Sequence, residues 1–415
     1  MRIIIIAHFA ERLAGENDGR FEYLADMLVK RGHEVTLLTS DFDHFTKKHR
    51  QYVSDKYSYK IQLIHELGYD TNVSVKRLYS HWRWGKEVGK YLEQIEKTDL
   101  IYIAVPSLTV GVKTSEYCQK KGVKLVIDVQ DLWPEAFCLA IKNRLLQKLF
   151  LPLEWYVNKI YRAADYTIAV SDTYLERALK VNKKLQGLSI FLGNDGERFE
   201  NARNAYRINK PDEEFWIAYI GTLGVSYDIP CVIDAIALLQ GKTTNGLLIR
   251  FVVIGDGPLR QSFEGYAHAK GVNCDFTGAL PYDEMVGRMC SCDAVVNPIK
   301  KESAASIINK VGDYALSGLP VINTQVSAEY RHLIDSYQCG INCRVGNADD
   351  VANAIDDLAT HLEKRQQMGE GSLRLGKERF DRRHTYQAIV DVIESNKKKY
   401  YYGNFFIFEN VCRTV

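Results

Sequence analysis

Short runs of apolar residues alternate with helical segments along most of the chain. The run RIIIIA at 2–7 predicts a buried strand, and the apolar residues between 21 and 29 then recur at helical spacing. Further strand-like runs lie at 34–39, 100–105, 124–129, 166–170 and 188–192. Continuous apolar runs are typical of strands covered on both faces, which indicates a parallel sheet. We therefore predict a doubly wound α/β domain over residues 1–200.

The same alternation restarts after a polar stretch at 197–214, which we interpret as a linker. The next predicted strands lie at 215–220, 249–254, 294–298 and 320–324, with helical segments between them. This pattern predicts a second doubly wound domain over 201–385, followed by a C-terminal helix and tail over 386–415. Two such domains facing one another leave a cleft, and ligands bind these folds where the strands end.

The composition excludes several classes of protein. A chain of 415 residues is too long for one core, and its formal net charge of +2 gives no electrostatic basis for nucleic acid as the main partner. No uninterrupted apolar run reaches the roughly 18 residues that span a bilayer. The start, MRIIIIAHFAERL, lacks the features of a signal peptide.

Nine cysteines, an odd number, are scattered through the chain. Disulfide frameworks are dense in short secreted chains, so this pattern favours a reducing, cytoplasmic location. Cys290 and Cys292, like Cys339 and Cys343, lack the C-x2-C spacing of zinc sites. We interpret them as buried, unreactive thiols.

Three segments mix aromatic with basic residues, and two interpretations stay open for them. One is peripheral contact with an anionic membrane surface that carries a polyprenol-linked acceptor. The other places the aromatic side chains in the core, or the tail against the first domain, with the basic groups in water. The segments are LYSHWRWGKEVGKYL (78–92), RLLQKLFLPLEWYVNKIYR (144–162) and KKKYYYGNFFIFENVCRTV (397–415).

Glycine-rich turns follow three predicted strands, where phosphate-binding turns occur. Glycine lets backbone N–H groups approach a ligand closely and permits positive φ. None of the turns is a Walker loop, and no G-x-G-x-x-G follows the first strand, which disfavours a dehydrogenase. The turns are GENDGRF (15–21), Gly221-Thr222-Leu223-Gly224 and Gly255-Asp256-Gly257-Pro258.

The stretch SIINKVGDYALSGLPVINT at 306–324 predicts a helix that ends at Gly318 and leads into a strand. Ser306 is its predicted N-cap. Lys310 and Asp313 share its polar face with Asn309, so a cation and a diol-binding acid lie beside the glycine turns. That combination suits a nucleotide-diphosphate sugar; the alternative is an i,i+3 surface ion pair.

The chain resembles the retaining glycosyltransferases of the GT-B fold, family 4, over about residues 1–385, and most of all the branch that builds bacterial surface polysaccharides such as capsule and O-antigen. The matching pieces are DGRFEYLADMLVKRGHEVTLLTS (18–40), VIDVQDLWPEAF (126–137), AVSD (169–172), YIGTLG (219–224), VVIGDGP (252–258) and KVGDYALSGLPVI (310–322). The resemblance implies two Rossmann-like domains facing a cleft, with the acceptor on the first and the donor on the second.

The resemblance also implies roles for single residues. Gly221, Thr222 and Gly224 would lie along the donor diphosphate, with Lys310 contacting phosphate beside Asn309. The remaining implied positions are Asp313 at the ribose, Asp256 and Gly257 at the base, Gly19 near the diphosphate from the first domain, and Asp131 facing the sugar. Two departures stand out: Ala305 replaces a Glu that many members carry, and GTLGVSYD has no basic residue.

The implied reaction moves a sugar from a nucleotide diphosphate, expected to be UDP, to a hydroxyl of a lipid-linked glycan, with retention and without a metal or other cofactor. His8 and His81 are weaker candidates on the acceptor side. Three alternatives remain: Asp41-Phe42-Asp43 as a metal-binding D-x-D, a nucleotide-sugar epimerase of the same fold, and a sensor that binds a nucleotide sugar without transfer.

Overall fold

The computed structural model describes residues 1–10, 13, 19–50, 53–72, 74–96, 98–105, 107–135, 151–241, 246–301 and 307–395. Within these ranges the chain forms two α/β domains, each built on a parallel sheet. The predicted fold class is therefore confirmed.

The first domain contains a seven-stranded sheet in the order β5-β2-β1-β6-β7-β8-β9, and all its pairs are parallel. Its central strand is buried on both faces from Ile3 to Ile6, which explains why it reads as an unbroken apolar run. A short antiparallel hairpin, β3-β4, lies beside the sheet. The strands are β1 Arg2–Ile6, β2 Glu34–Ser40, β3 Phe42–Asp43, β4 Lys48–His49, β5 Lys60–Ile64, β6 Leu100–Val105, β7 Lys124–Val129, β8 Tyr166–Ala169 and β9 Gln186–Ser189.

Helices cover both faces of this sheet, and local signals explain where several of them start. The hydroxyls of Ser74 and Ser171 accept hydrogen bonds from the N–H groups of Arg77 and Tyr174, which caps two of the helices. The helices are α1 Arg20–Lys30, α2 Val75–Gln94, α3 Leu108–Lys121, α4 Leu151–Ala163 and α5 Asp172–Val181.

The second domain has a six-stranded parallel sheet in the order β12-β11-β10-β13-β14-β15. Its strands are β10 Glu214–Ile220, β11 Leu248–Ile254, β12 Cys274–Gly278, β13 Ala294–Asn297, β14 Val321–Asn323 and β15 Gly340–Asn342. Its helices are α6 Gly196–Ala205, α7 Ile229–Leu239, α8 Arg260–Ala269, α9 Tyr282–Cys290, α10 Lys310–Ser317, α11 Ala328–Tyr337, α12 Ala348–Thr360 and α13 Leu362–Leu375; a π-helical turn Gly376–Phe380, α14 Arg382–Thr385 and α15 Gln387–Glu394 follow.

The predicted linker at 197–214 is wrong, because most of it is structured. Residues 196–205 form α6, whose Phe199 and Ala202 pack in the same core as Trp216. The Asp195 carboxylate caps this helix. Few apolar positions fall in the segment, so its helical period is too weak to read from sequence.

The last described helix, α15, returns to the first domain. Ile389, Val390 and Ile393 share a core with Ile3 and Leu24. After the second domain the chain therefore returns to the first, and α15 packs into the core of the first domain. The aromatic and basic segment at 397–415 lies outside the described residues.

A buried ion pair between α1 and β7 lies next to the start of α15. The Arg20 guanidinium donates to both carboxylate oxygens of Asp128, over 2.7 and 3.3 Å. It also donates to the carbonyl of Phe191 and the hydroxyl of Tyr386, each over 3.0 Å. Tyr102 donates to Asp128 as well, over 2.7 Å. Arg20 thereby links the first sheet, the connection to the second domain and the C-terminal helix.

The domains also touch across the cleft. The N–H of Asp172, which follows β8, donates to the carboxylate of Glu329, which follows β14, over 2.8 Å. Since both residues follow strands, the carboxyl edges of the two sheets face each other. This is where two doubly wound domains present their ligand sites.

The four cysteines at the spacings considered for zinc are described in the structure. Cys290, Cys292, Cys339 and Cys343 are buried and free, and burial raises the pKa of Cys339 and Cys343 to about 12. The interpretation as unreactive thiols agrees with this.

No described helix combines the length and apolar character needed to cross a membrane.

Candidate active site

The two glycine turns of the second domain pack directly on each other. Gly221 follows β10 with φ +125°, and Gly255 follows β11 with φ +149°. A Cβ on Gly255 would lie 1.9 Å from the carbonyl oxygen of Gly221, so no other residue fits there. The N–H of Leu223 donates to the carbonyl of Asp256 over 2.9 Å, which locks the turns together.

This packing leaves backbone donors at the end of β10. Within the described ranges, the N–H groups of Thr222 and Gly224 have no protein hydrogen-bond partner. Thr222 is exposed and Gly224 is half-buried. The turn therefore presents two N–H groups in a rigid backbone frame, as phosphate-binding turns do.

Lys310 lies at the same turn. A Cβ on Gly221 would be 2.5 Å from the Lys310 ammonium, so the cation lies over the glycine. Its Nζ is 4.2 and 3.9 Å from the ring centroids of Tyr219 and Tyr227, and it donates to the Tyr219 hydroxyl over 3.2 Å. Burial lowers the pKa of Lys310 to about 7. Across the described chain no carboxylate forms an ion pair with it, and the charge of Asp313 has a smaller effect on its pKa than burial does.

Asp313, one turn further along α10, points to different partners. It is 8% exposed, and its Oδ1 accepts hydrogen bonds from Asn194 over 2.7 Å and from the hydroxyl of Tyr282 over 2.9 Å. Burial raises its pKa to about 7. Lys310 and Asp313 thus do not form the alternative surface ion pair. The ribose contact of Asp313 stays a prediction.

The start of α10 differs from the predicted one. The helix begins at Lys310 rather than near Ser306, which lies outside the described residues. Asn309 precedes it, is exposed, and makes no capping hydrogen bond. The N–H groups of Val311 and Gly312 donate to carbonyls three residues earlier, over 3.1 and 3.2 Å. Any phosphate here would therefore depend on the Lys310 side chain and the glycine turn rather than on those N–H groups.

Asp256 and Gly257 lie on the second turn. The Asp256 carboxylate is exposed, accepts from the N–H of Gly257 over 2.7 Å and lies 3.7 Å from the guanidinium of Arg260. A Cβ on Gly257 would contact the backbone of Leu223 at 2.5 Å. The glycines of this turn are needed for packing, and the contact of Asp256 with a base stays a prediction.

On the first domain, Asp131 follows β7 and is held by its neighbours. Its Oδ1 accepts from the N–H of Leu132 over 2.8 Å, and its Oδ2 accepts from the indole of Trp133 over 3.1 Å. Gly19 is the buried residue before α1, and its carbonyl accepts from the N–H of Tyr23. Their contacts with a donor stay predictions.

His8 and His81 lie together at the carboxyl end of β1. The ring nitrogens of His8 lie 2.8 Å from Ser107 and 2.9 Å from Glu66, so both are used inside the domain. Burial alone would raise the pKa of Glu66, but hydrogen bonds from His8, Ser40 and Ser80 lower it to about 2. Burial lowers the pKa of His81 to about 2, so that ring is neutral.

The two carboxylates of the D-x-D pair have different partners, and metal binding by this segment stays an untested alternative. The Asp43 carboxylate accepts the N–H groups of Phe45 and Thr46 and so closes the β3-β4 turn. The Asp41 carboxylate instead lies 2.8 Å from the Nδ1 of His65. The two carboxylates serve separate local structures.

Sequence reasoning missed several residues of the site. Tyr219 and Tyr227 enclose the Lys310 ammonium, but in the sequence they read as an ordinary strand residue and a loop residue. Arg77 and Trp133 lie near His81 on the first domain, with ring centroids of His81 and Trp133 6.5 Å apart. Arg77 and Trp133 lie outside the segment 78–92, so its mixture of aromatic and basic residues did not indicate them.

Comparisons with known proteins agree with this arrangement. Residues 20–184 match the family model described as Glycosyltransferase Family 4, and residues 214–361 match the model described as Glycosyl transferases group 1. A search of the curated proteins finds no match. The two family matches fall on the two domains seen in the structure.

Solved structures share the fold over nearly the whole chain. HepE of Anabaena in complex with UDP is 14% identical, with a TM-score of 0.68, and the match covers 95% of this chain and 99% of that one. Sucrose-phosphate synthase of Thermosynechococcus elongatus is 16% identical, with a TM-score of 0.69 and coverage of 95% and 98%. WaaG, a glycosyltransferase involved in lipopolysaccharide biosynthesis, is 16% identical, with a TM-score of 0.63 and coverage of 95% and 100%. Two facing Rossmann-like domains, each matched by a glycosyltransferase model, identify the chain as a glycosyltransferase of the GT-B fold.

Proposed function

We propose that the protein transfers a sugar from a UDP-sugar to a hydroxyl of a lipid-linked glycan, with retention of anomeric configuration and without a metal, in the synthesis of a bacterial surface polysaccharide. The observation that carries the donor side is the half-buried Lys310 ammonium, which lies over Gly221 with no carboxylate at ion-pair distance in the described chain. Structures of HepE, which shares the fold, are described as complexes with UDP and with UDP-glucose.

The leaving group explains why a cation belongs there. Negative charge grows on the β-phosphate as the glycosidic bond breaks. The N–H groups of Thr222 and Gly224 and the Lys310 ammonium would stabilise that charge more in the transition state than in the ground state. Because the glycine turns are locked backbone to backbone, these donors need little rearrangement during the reaction. This proposed role of Lys310 takes the place of a metal ion.

The sugar becomes oxocarbenium-like as its bond to the phosphate breaks. Asp131 is proposed to face this positive charge from the first domain. Both of its oxygens accept hydrogen bonds, from Leu132 and Trp133, which fixes the orientation of the carboxylate. Electrostatic stabilisation by a fixed carboxylate needs no covalent intermediate.

A thermal-shift titration tests the donor assignment. UDP should raise the melting temperature, since a ligand that binds only the folded state stabilises it by about 2.7 kcal/mol at a hundredfold excess over Kd. The shift should be unchanged by EDTA. Thymidine and guanosine diphosphates are the matched comparison for the base. A shift that appears only with added divalent metal would contradict the metal-free donor site.

The products then separate transfer from the two alternatives of the same fold. Incubation with a UDP-sugar and a glycan acceptor should yield a new glycoside. An epimerase would yield a different UDP-sugar without acceptor, and a sensor would leave the UDP-sugar unchanged. Either of these results would overturn the proposed transfer even if UDP binds.

An exposed apolar face on α2 supports contact with a membrane. Val75, Leu78, Tyr79 and Trp82 are 82%, 56%, 50% and 41% exposed and lie on one side of the helix; we call them the α2 apolar face. Lys86 lies beside them, with its Nζ 3.7 Å from the Trp82 ring. Apolar side chains next to basic ones suit the interface of an anionic bilayer. We propose that this face rests on the cytoplasmic surface of the membrane that carries the acceptor.

Vesicle binding checks this face. Replacing Leu78 and Trp82 together with serine should weaken binding to phosphatidylglycerol vesicles by at least about tenfold, because each buried side chain contributes about 1.5–3 kcal/mol. Leu362→Ser is the matched control, since Leu362 is 53% exposed on α13 of the second domain. Equal loss in both proteins, or no loss in either, would contradict a membrane contact through α2.

A further inference from the structure

A second group of cations lies on the first domain, away from the donor turn. Arg77 on α2 and Lys47 beside the β3-β4 turn converge on the ring of Tyr69. Three of the surrounding rings, those of Phe9, Tyr69 and Trp133, come from the segments after β1, β5 and β7, which end at the cleft edge of the sheet. His44 lies in the β3-β4 turn and His81 on α2. We call this group the Arg77 cluster: Phe9, His44, Lys47, Tyr69, Arg77, His81 and Trp133.

Arg77 is half-buried among aromatic rings rather than acids. Its guanidinium carbon lies 6.0 Å from the ring centroid of Phe9, 5.5 Å from that of Tyr69 and 5.6 Å from that of Trp133. One of its nitrogens donates to the carbonyl of Asn72 over 2.6 Å. Over the part of the chain that is described, no carboxylate pairs with Arg77. No ion pair within the described ranges therefore neutralises the charge of Arg77.

Lys47 adds a second positive charge without an acidic partner at ion-pair distance in the described ranges. Its ammonium donates to the side-chain oxygen of Asn72 and to the carbonyl of His44, each over 2.5 Å. It also lies 4.9 Å from the ring centroid of Tyr69. Its backbone has φ +58°, a conformation that a lysine rarely adopts. The strained turn places the ammonium beside Arg77.

The titratable groups nearby do not cancel this charge. Burial lowers the pKa of His44 to about 4, and the charges of Lys47 and Arg77 add to that effect. Two acids lie nearby: Asp43, whose charge acts on Lys47, and Glu66, which is buried and bonded to His8, Ser40 and Ser80. Among the described residues, neither acid forms an ion pair with Lys47 or Arg77. The cluster thus holds two cations, neutral imidazoles and aromatic faces. That is a binding site for an anion attached to an apolar or sugar ring.

We propose that the Arg77 cluster binds a phosphate or diphosphate group of the acceptor. The inference rests on the proposed transfer and specifies its acceptor. The cluster adjoins the predicted sugar site, because the Trp133 indole that lies near Arg77 also donates to Asp131. Arg77 also lies on the same helix as the α2 apolar face, on the side turned toward the domain. A diphosphate that links a lipid tail to a glycan would lie between the α2 apolar face, which would hold the tail, and the predicted sugar site near Asp131.

Calorimetric titration with inorganic pyrophosphate tests the cluster in the full-length protein. Saturating UDP is added first, so that the donor turn is occupied and the remaining binding reports on the first domain. Wild-type protein should bind pyrophosphate, and Arg77→Ala should weaken that binding at least about tenfold, the loss typical of a charged hydrogen-bonding partner. Lys90→Ala is the matched control, since Lys90 is an exposed cation of α2 outside both the Arg77 cluster and the α2 apolar face.

The outcomes separate this inference from the donor assignment. Unchanged pyrophosphate affinity in Arg77→Ala, or no binding by the wild type, would overturn it. Arg77→Gln, with UDP affinity as the check on folding, guards against a misfolded alanine variant. If UDP itself does not bind, the donor assignment fails. Pyrophosphate is then titrated into Lys310→Ala, with and without Arg77→Ala, and this comparison still measures the contribution of Arg77.

Two further probes identify the source of the phosphate. Farnesyl diphosphate should bind more tightly than pyrophosphate if the group belongs to a lipid carrier. Glucose 1-phosphate should bind more tightly than inorganic phosphate if it belongs to a soluble phosphorylated sugar. Arg77→Ala should weaken either preferred probe, and a preference that survives this substitution would contradict the cluster as the site.

Discussion

Replacing Lys310 with methionine is expected to lower kcat/KM by about 10²–10³-fold, the loss seen when one donor to a developing oxyanion is removed. The melting temperature should stay equal or rise. The reason is that Lys310 is a partly buried cation beside two tyrosine rings, with no described acid at ion-pair distance. Methionine fills the same space without the charge. Activity and stability should therefore separate.

The stability gained by Lys310→Met should depend on pH, because the charge of Lys310 does. Burial lowers the pKa of Lys310 to about 7 in the folded protein from an ordinary 10.5. Below pH 7 both states carry the proton, and the folded state bears the full cost of the buried charge. Between pH 7 and 10.5 the folded state loses the proton first, so this cost declines as pH rises. The gain in melting temperature from Lys310→Met should be largest at pH 6 and absent near pH 10.

The affinity for UDP should depend on the same titration of Lys310, with the opposite sign. In the wild type, UDP affinity should fall as pH rises above 7, because the free site loses its cation. In Lys310→Met this dependence should shrink, and what remains reports on Asp313, whose pKa burial raises to about 7.

Lys183→Met is the matched control, because Lys183 is an exposed lysine of the first domain. It should leave kcat/KM and melting temperature unchanged. If Lys310→Met lowers stability and activity in parallel, Lys310 is a structural residue and the donor assignment loses its main support.

The largest loss of stability is expected at Arg20. Removing one partner of a buried ion pair leaves an uncompensated charge and costs about 3–5 kcal/mol. Arg20 is 4% exposed and Asp128 0%, so Arg20→Met would strand a carboxylate in the core. It would also remove the hydrogen bonds to Phe191, in the connection to the second domain, and to Tyr386, which directly precedes α15. Urea unfolding followed by circular dichroism measures the change.

Arg31→Met is the matched control at the opposite end of the same helix, α1. Arg31 also reaches the C-terminal helix, through Gln387 and Glu394, but its side chain is 47% exposed. Exposed pairs contribute about 0–1 kcal/mol. Adding Asp128→Asn to Arg20→Met should recover part of the loss, since the stranded charge is removed. Similar losses for Arg20→Met and Arg31→Met would show that the buried pair is not what stabilises the fold.

Much of the fold could be read from the sequence because both sheets are parallel and covered on both faces. Burial on two sides demands unbroken apolar runs, and RIIIIA, LIYIAV and KLVIDV are such runs. The edge strand at Lys60–Ile64 and the short strand at Gly340–Asn342 are only partly buried, so their patterns are weaker. The helix α6 was missed for the same reason.

The candidate site was only partly readable. The glycine turns and Lys310 stood out because their chemistry is local to a few residues. The partners of Asp313 did not, since Asn194 and Tyr282 lie 119 and 31 residues away in the chain. Tyr227 at Lys310, and Arg77 beside Trp133, are likewise brought together by the packing of distant segments.

By itself the sequence determined the alternation of strands and helices, the division into two doubly wound domains and the glycine turns at strand ends. These follow from periodicity and backbone freedom, which act over a few residues. The tertiary structure alone decided that Lys310 faces Gly221 without an acid while Asp313 turns to Asn194. It also decided that Arg20 is buried against Asp128 and that α15 returns to the first domain. Those outcomes depend on which distant side chains share a volume closed to water, and burial there sets both their partners and their charge.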